Sequence, residues 1–178
     1  MQKLIRTLAL AALIVLGIWV WRILFPSPEH VIRSLVGNVA ETVSFNAKDG
    51  NISKAYKVSK LQDFFTVDVE IAVDAPGYPP HTFTGRDEIT QALLAAHSRL
   101  NGLKVEFLDV NVKVAPDKQT ATANLTAQAN FNGERDFSIQ ELNFLLKKIE
   151  GKWKIYRIET VKTLSSLPSA IQANPVEA

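Results

Sequence analysis

Cysteine is absent from the chain, methionine occurs once and histidine only three times. Without thiols there are no disulfides, no thiol nucleophile and no thiolate zinc site, and the redox compartment stays open because reducing and oxidising spaces both tolerate such a domain. His30, His81 and His97 lack metal-ligand spacing, so no metal is expected. A charge excess of one sign is missing as well. The 20 Lys and Arg stand against 18 Asp and Glu, a formal net charge of +2 over 178 residues. With no broad basic footprint, nucleic acid is not an expected partner. Nothing in the chain asks for a cofactor.

Long apolar runs are confined to the N-terminus, where Thr7 to Trp21 reads TLALAALIVLGIWVW between Lys3 and Arg6 on one side and Arg22 on the other. If Arg22 snorkels, the run extends through Ile23 and Leu24 to Phe25, and about 19 residues at about 1.5 Å each cover roughly 28 Å. Trp19 and Trp21 suit an interfacial belt, and the bulky residues before Pro26 offer no small-x-small cleavage site. Residues 1–26 are therefore expected to be an uncleaved signal anchor, crossing the membrane once with residues 4–25. Lys3 and Arg6 predict a cytoplasmic N-terminus and a periplasmic or extracellular domain. Residues 27–164 are expected to form one α+β domain, and residues 165–178, with Pro168 and Pro175, a flexible tail.

Ser27-Pro28-Glu29 has the form of a helix start, and Val31, Ile32, Leu35, Val36, Val39 and Val43 follow at helical spacing. A second helix is expected over 51–65, with Ile52, Ala55, Val58, Leu61 and Phe65 on its apolar side. A strand from Val67 to Val73 runs into the Pro76-Gly77-Tyr78-Pro79-Pro80 loop. Gly85-Arg86-Asp87-Glu88 opens a third helix with Ile89, Leu93, Ala96 and Leu100 on one face. The period then becomes two. Leu103, Val105 and Phe107 share one parity and Val110, Val112 and Val114 the other, which predicts a β-bulge near Leu108. Three more segments follow: an alternating strand at 120–131, a strand at 137–149, and after the Glu150-Gly151 turn a last strand at 153–161.

Helix, helix, strand, Pro/Gly loop, a helix opening Gly-Arg-Asp-Glu-Ile, then long strands ending in Gly-Lys-Trp-Lys-Ile resembles the nuclear transport factor 2-like superfamily. That superfamily is also called SnoaL-like or cystatin-like α+β, and the resemblance covers about residues 28 to 164. It implies a cone of three helices packed in a strongly bent antiparallel sheet, a pocket at the wide end, and pairing of copies through the sheet face. Isomerases, dehydratases, cyclases and hydrolases share this fold with non-catalytic binding and scaffold domains, so the fold does not choose among them.

The resemblance points to particular residues. Asp74 stands where ketosteroid-isomerase-like members carry a catalytic base before a Pro-Gly loop, and a carboxylate there suits proton abstraction next to a carbonyl. The tyrosine that those members carry on the first helix is missing. Dehydratase-like members use a histidine with an aspartate, for which His97 pairs with Asp74 and His81 lies near. Tyr56, Tyr78, His81 and Phe107 are candidate pocket residues. The uncharged alternate positions Thr120, Thr122, Asn124, Thr126, Gln128 and Asn130 suit a homodimer contact. Lacking a complete acid–base set, the chain is expected to be a non-enzymatic, membrane-tethered binding or scaffold module that recruits a partner or a small hydrophobic ligand. The alternative is a SnoaL-like isomerase, dehydratase or hydrolase acting on a lipophilic small molecule.

Overall fold

Ser27 opens the first helix: its hydroxyl oxygen accepts the His30 N–H at 3.3 Å, Pro28 takes the first turn, and Glu29 faces the positive end of the helix dipole. The computed structural model describes residues 15–17, 26–74, 80–131 and 137–163. In it α1 (Pro28–Val43) is followed by β1 (Phe45–Asn46), α2 (Asn51–Phe64), β2 (Phe65–Val73), β3 (His81–Thr84), α3 (Gly85–Arg99), β4 (Gly102–Val114), β5 (Thr120–Phe131), β6 (Phe137–Ile149) and β7 (Lys152–Thr163). The strands form one sheet in the order β1-β4-β5-β6-β7-β2-β3.

The predicted bulge is present. The β4–β5 register shifts between Leu108 and Asn111, and Asp109 adopts φ 51°. A bulge bends its strand and sharpens the twist. On α1, Arg33 Nη1 donates to the Val110 carbonyl at 2.6 Å, which ties the helix to the bent strand. The hairpin between β6 and β7 turns at Glu150 and Gly151, φ 50° and 78°, the paired positive values of a type I′ turn. Gly85 at φ 79° turns the chain from β3 into α3, and a Cβ there would lie 3.4 Å from the Val67 carbonyl.

The helices and the inner sheet face enclose the core, which includes Ile32, Val36 and Val39 of α1, Leu61 of α2, Leu93 of α3, and Ala123, Phe144 and Ile155 of the sheet. Three sequence expectations change in detail. Val31 is 36% and Ile52 88% exposed, because at about 100° per residue Val31 lies about 140° round its helix from the buried Val36 and Ile52 about 180° from the buried Leu61. The short edge strands β1 and β3 have too few residues to show periodicity. The sheet is also not wholly antiparallel, since β2 runs parallel to β7, with Glu70 opposite Arg157 and Ala72 opposite Glu159.

The expected membrane anchor is corrected. Among the described residues no helix is long and apolar enough to cross a membrane, so the single-pass topology and the periplasmic or extracellular placement built on it do not stand. The uncharged run Thr7 to Trp21 is shorter than the roughly 20 residues that a span requires, and the expectation needed Arg22 to snorkel. Of residues 4–25 only Val15, Leu16 and Gly17 are described; the others, like the tail 165–178, lie outside the described residues. The fold class is α+β, three helices packed on a bent seven-stranded sheet, and the membrane helix expected before it is not found among the described residues.

Candidate functional site

Alternation along the central strands sends one set of side chains between the sheet and the helices. On β6 this set contains Leu142, Phe144 and Leu146, and Gln140 has the same parity. These strands, with α1, α2 and α3, surround a cavity of about 190 Å³. Among the described residues its lining is apolar, including Val39, Leu61, Ile71, Ala72, Phe107 and Phe144, with Gln140 and Thr160 as the two polar members. Phe107 meets Phe144 edge to face at 5.5 Å. Leu61, Phe65 and Phe144 are buried, whereas Val73, Gln140 and Thr160 are half-buried. The cavity is therefore closed at the Leu61 end and opens at the end of β2.

Asp74 sits at that opening. Its main-chain N–H donates to Thr160 Oγ1 at 3.3 Å, and its carbonyl accepts from Gln140 Nε2 at 3.2 Å. Both partners line the cavity. Asp74 itself is exposed. His81 is near, because it pairs with Val73 across the β2–β3 ladder. It too is exposed, lies 3.5 Å from Glu88 Oε1, and meets the Phe83 ring edge-on at 4.5 Å.

His97 has different neighbours. Near the end of α3, its ring lies against Phe45 at a tilt of 34° with centroids 3.9 Å apart, and both ring nitrogens are buried without a hydrogen-bond partner among the described residues. Burial holds its pKa below the usual imidazole value, Lys54 and Lys57 push the same way, and Asp49 opposes them. Lys57 donates to Asp49 Oδ2 and to the Ser44 carbonyl, each at 2.8 Å, and its hydrogen bond is the main reason that the Asp49 carboxyl titrates below its ordinary range. His97 is not part of the cavity lining.

Of the pocket residues read from sequence, Phe107 lines the cavity. Tyr56 is 64% exposed on α2, with the Lys60 ammonium 5.8 Å from its ring centroid. Tyr78 lies outside the described residues. Gln140 and Thr160 escaped the sequence reading. Gln140 left a signal, as a polar side chain on the inward parity of a strand; Thr160 left none, because the β6–β7 register shifts between Leu145 and Leu146 and interrupts the alternation. Among the described residues no three His, Asp or Glu side chains gather as metal ligands would.

A bent sheet wrapped on helices, with an apolar cavity inside, defines the cystatin-like α+β class. Within it, the chain belongs to the SnoaL-like domain family, whose model matches residues 51–159. A protein of unknown function with a cystatin-like fold from Nostoc punctiforme is similar, at 15% identity over 78% of this chain and 92% of that one, with a TM-score of 0.57. A nuclear transport factor 2-like protein of unknown function from Pseudomonas putida gives 14% identity, 74% and 84% coverage, and a TM-score of 0.57. A candidate scytalone dehydratase from Novosphingobium aromaticivorans gives 19% identity, 84% and 93% coverage, and a TM-score of 0.54. At such identities the likeness shows the fold alone. No curated protein matches the chain in sequence.

Proposed function

We propose that the domain acts on a lipophilic small molecule held in the cone cavity, as a SnoaL-like isomerase or dehydratase with Asp74 as its base. The observation that carries this reading is the place of Asp74 at the cavity opening, bound through its main chain to Gln140 and Thr160. Membership of the SnoaL-like family supports it. The apolar wall favours a ligand that sheds water on entry, by about 25 cal/mol per Å² of apolar surface buried. In the proposed reaction the Asp74 carboxylate takes a proton from the carbon next to a carbonyl. The C–H electron pair becomes the C=C bond of an enolate, whose charge rests on oxygen. An isomerase returns the proton to another carbon. A dehydratase instead expels a β-hydroxyl group, which leaves as water with that proton.

Hydrogen exchange tests the chemistry without knowledge of the natural substrate. A ketone such as menthone is incubated with the protein in D2O, and loss of the signals next to the carbonyl is followed by proton NMR. Wild type speeds the exchange, and Asp74→Asn loses about a hundredfold or more of that acceleration. Equal rates with the two proteins overturn the catalytic reading. A second reading, in which the cone binds such a molecule without turning it over, is favoured by the position of His97 against Phe45 and outside the lining. It predicts binding with no accelerated exchange.

Pairing of copies through the outer sheet face belongs to the same proposal. Asn111, Asn124 and Asn143 are successive cross-strand neighbours there, uncharged, and Leu108 and Val161 are 44% and 63% exposed. Light scattering that returns a monomer at micromolar concentration removes this part.

A further inference from the structure

We propose that Gln140 reads the ligand: its side-chain amide donates a hydrogen bond to the single carbonyl or hydroxyl oxygen of a compact, neutral molecule of about ten non-hydrogen atoms, a size set against known cavities. The inference rests on the cavity being the ligand site, as proposed above.

Size comes first. An apolar cavity of about 150 Å³ holds one benzene. The 190 Å³ here admits a ring with a few substituents, and the opening lets one end extend past the wall. A fused four-ring skeleton exceeds that space. Charge comes second. Among the described residues no charged side chain lines the cavity, so an ionic ligand would lose its hydration with no partner there to replace it.

Polarity comes third, because the two polar lining groups are not equivalent. The Thr160 hydroxyl accepts the Asp74 N–H at 3.3 Å and donates to the Ala72 carbonyl at 3.5 Å, so its single O–H donor is engaged and none is left for a ligand oxygen. A glutamine amide carries two N–H donors and a carbonyl with two lone pairs. The Gln140 bond to the Asp74 carbonyl uses one N–H and holds the amide at the opening, with hydrogen-bonding capacity left for a ligand. The ligand therefore places its apolar body toward Leu61 and Phe144, at the closed end, and its oxygen toward Gln140. This arrangement supplies, from β6, a donor to a carbonyl oxygen in a protein whose first helix has no tyrosine.

The test uses the full chain and three probes: menthone, its hydrocarbon counterpart menthane, and progesterone, with affinities measured by ligand-detected NMR. Menthone binds, progesterone binds at least tenfold more weakly, and the near-isosteric Gln140→Met weakens menthone about fivefold to tenfold while leaving menthane unchanged. On wild type alone, the carbon-13 carbonyl resonance of bound menthone moves downfield, as hydrogen bonding requires, whether or not the variant folds. Progesterone binding as tightly as menthone overturns the size class. Binding of menthone with an unshifted carbonyl resonance overturns the role of Gln140. If neither menthone nor menthane binds wild type, the cavity reading itself fails, and this inference falls with it.

Discussion

Gln140 donates from Nε2 to the carbonyl of Asp74 at 3.2 Å, across 66 residues of sequence. The bond spans from β6 to the end of β2, and Thr160 of the intervening β7 accepts the Asp74 N–H. The opening of the cavity is thus held by three strands. Replacing Thr160 with valine keeps the shape and removes the acceptor, which lowers stability by about 1 kcal/mol in urea denaturation. Unchanged stability would show that the link at the opening carries no energy.

The closed end depends on Phe144, which is 1% exposed and packs edge to face on Phe107. Phe144→Ala enlarges the cavity at its floor and costs about 3–5 kcal/mol, the range for truncating a buried phenylalanine. Chemical denaturation measures it. A loss under about 1 kcal/mol would mean that the surroundings collapse into the space and that the cavity is not rigidly walled.

Acid weakens the fold through His97. Burial and the nearby Lys54 and Lys57 lower its pKa in the folded state, against the opposing Asp49, so the folded protein favours the neutral ring set against Phe45. The unfolded chain therefore binds more protons as pH falls through the ordinary value of 6.5 toward the folded value. The stabilisation is complete above that ordinary value and is lost below it. Melting temperature falls between about pH 7.5 and pH 5.5, and the slope flattens in His97→Leu. An equal slope in both proteins would assign the pH dependence to other groups.

Much of the fold was legible because periodicity and capping are local. Ser27-Pro28-Glu29 marked the start of α1, the parity swap near Leu108 marked the bulge, and Glu150-Gly151 marked the hairpin turn. The two short edge strands and the parallel β2–β7 pairing were not legible, since neither brevity nor strand direction leaves a pattern in one segment. The apolar N-terminal run suggested a span by composition, and no described helix meets that criterion. At the site, Asp74 and Phe107 were visible as residue types in suggestive places. What sequence could not provide was their company, because Gln140 and Thr160 reach the same opening only through the strand order.

The most direct test of the central claim is a methyl NMR titration of the full chain with menthone. Shifts concentrated on the methyl groups of Val39, Leu61, Ile71, Ile89, Leu142 and Ile158, which face the cavity, are the predicted result. Shifts confined to exposed methyls such as those of Ile52, Val67 and Leu94, or none at all, would contradict the claim that the cone holds a lipophilic ligand.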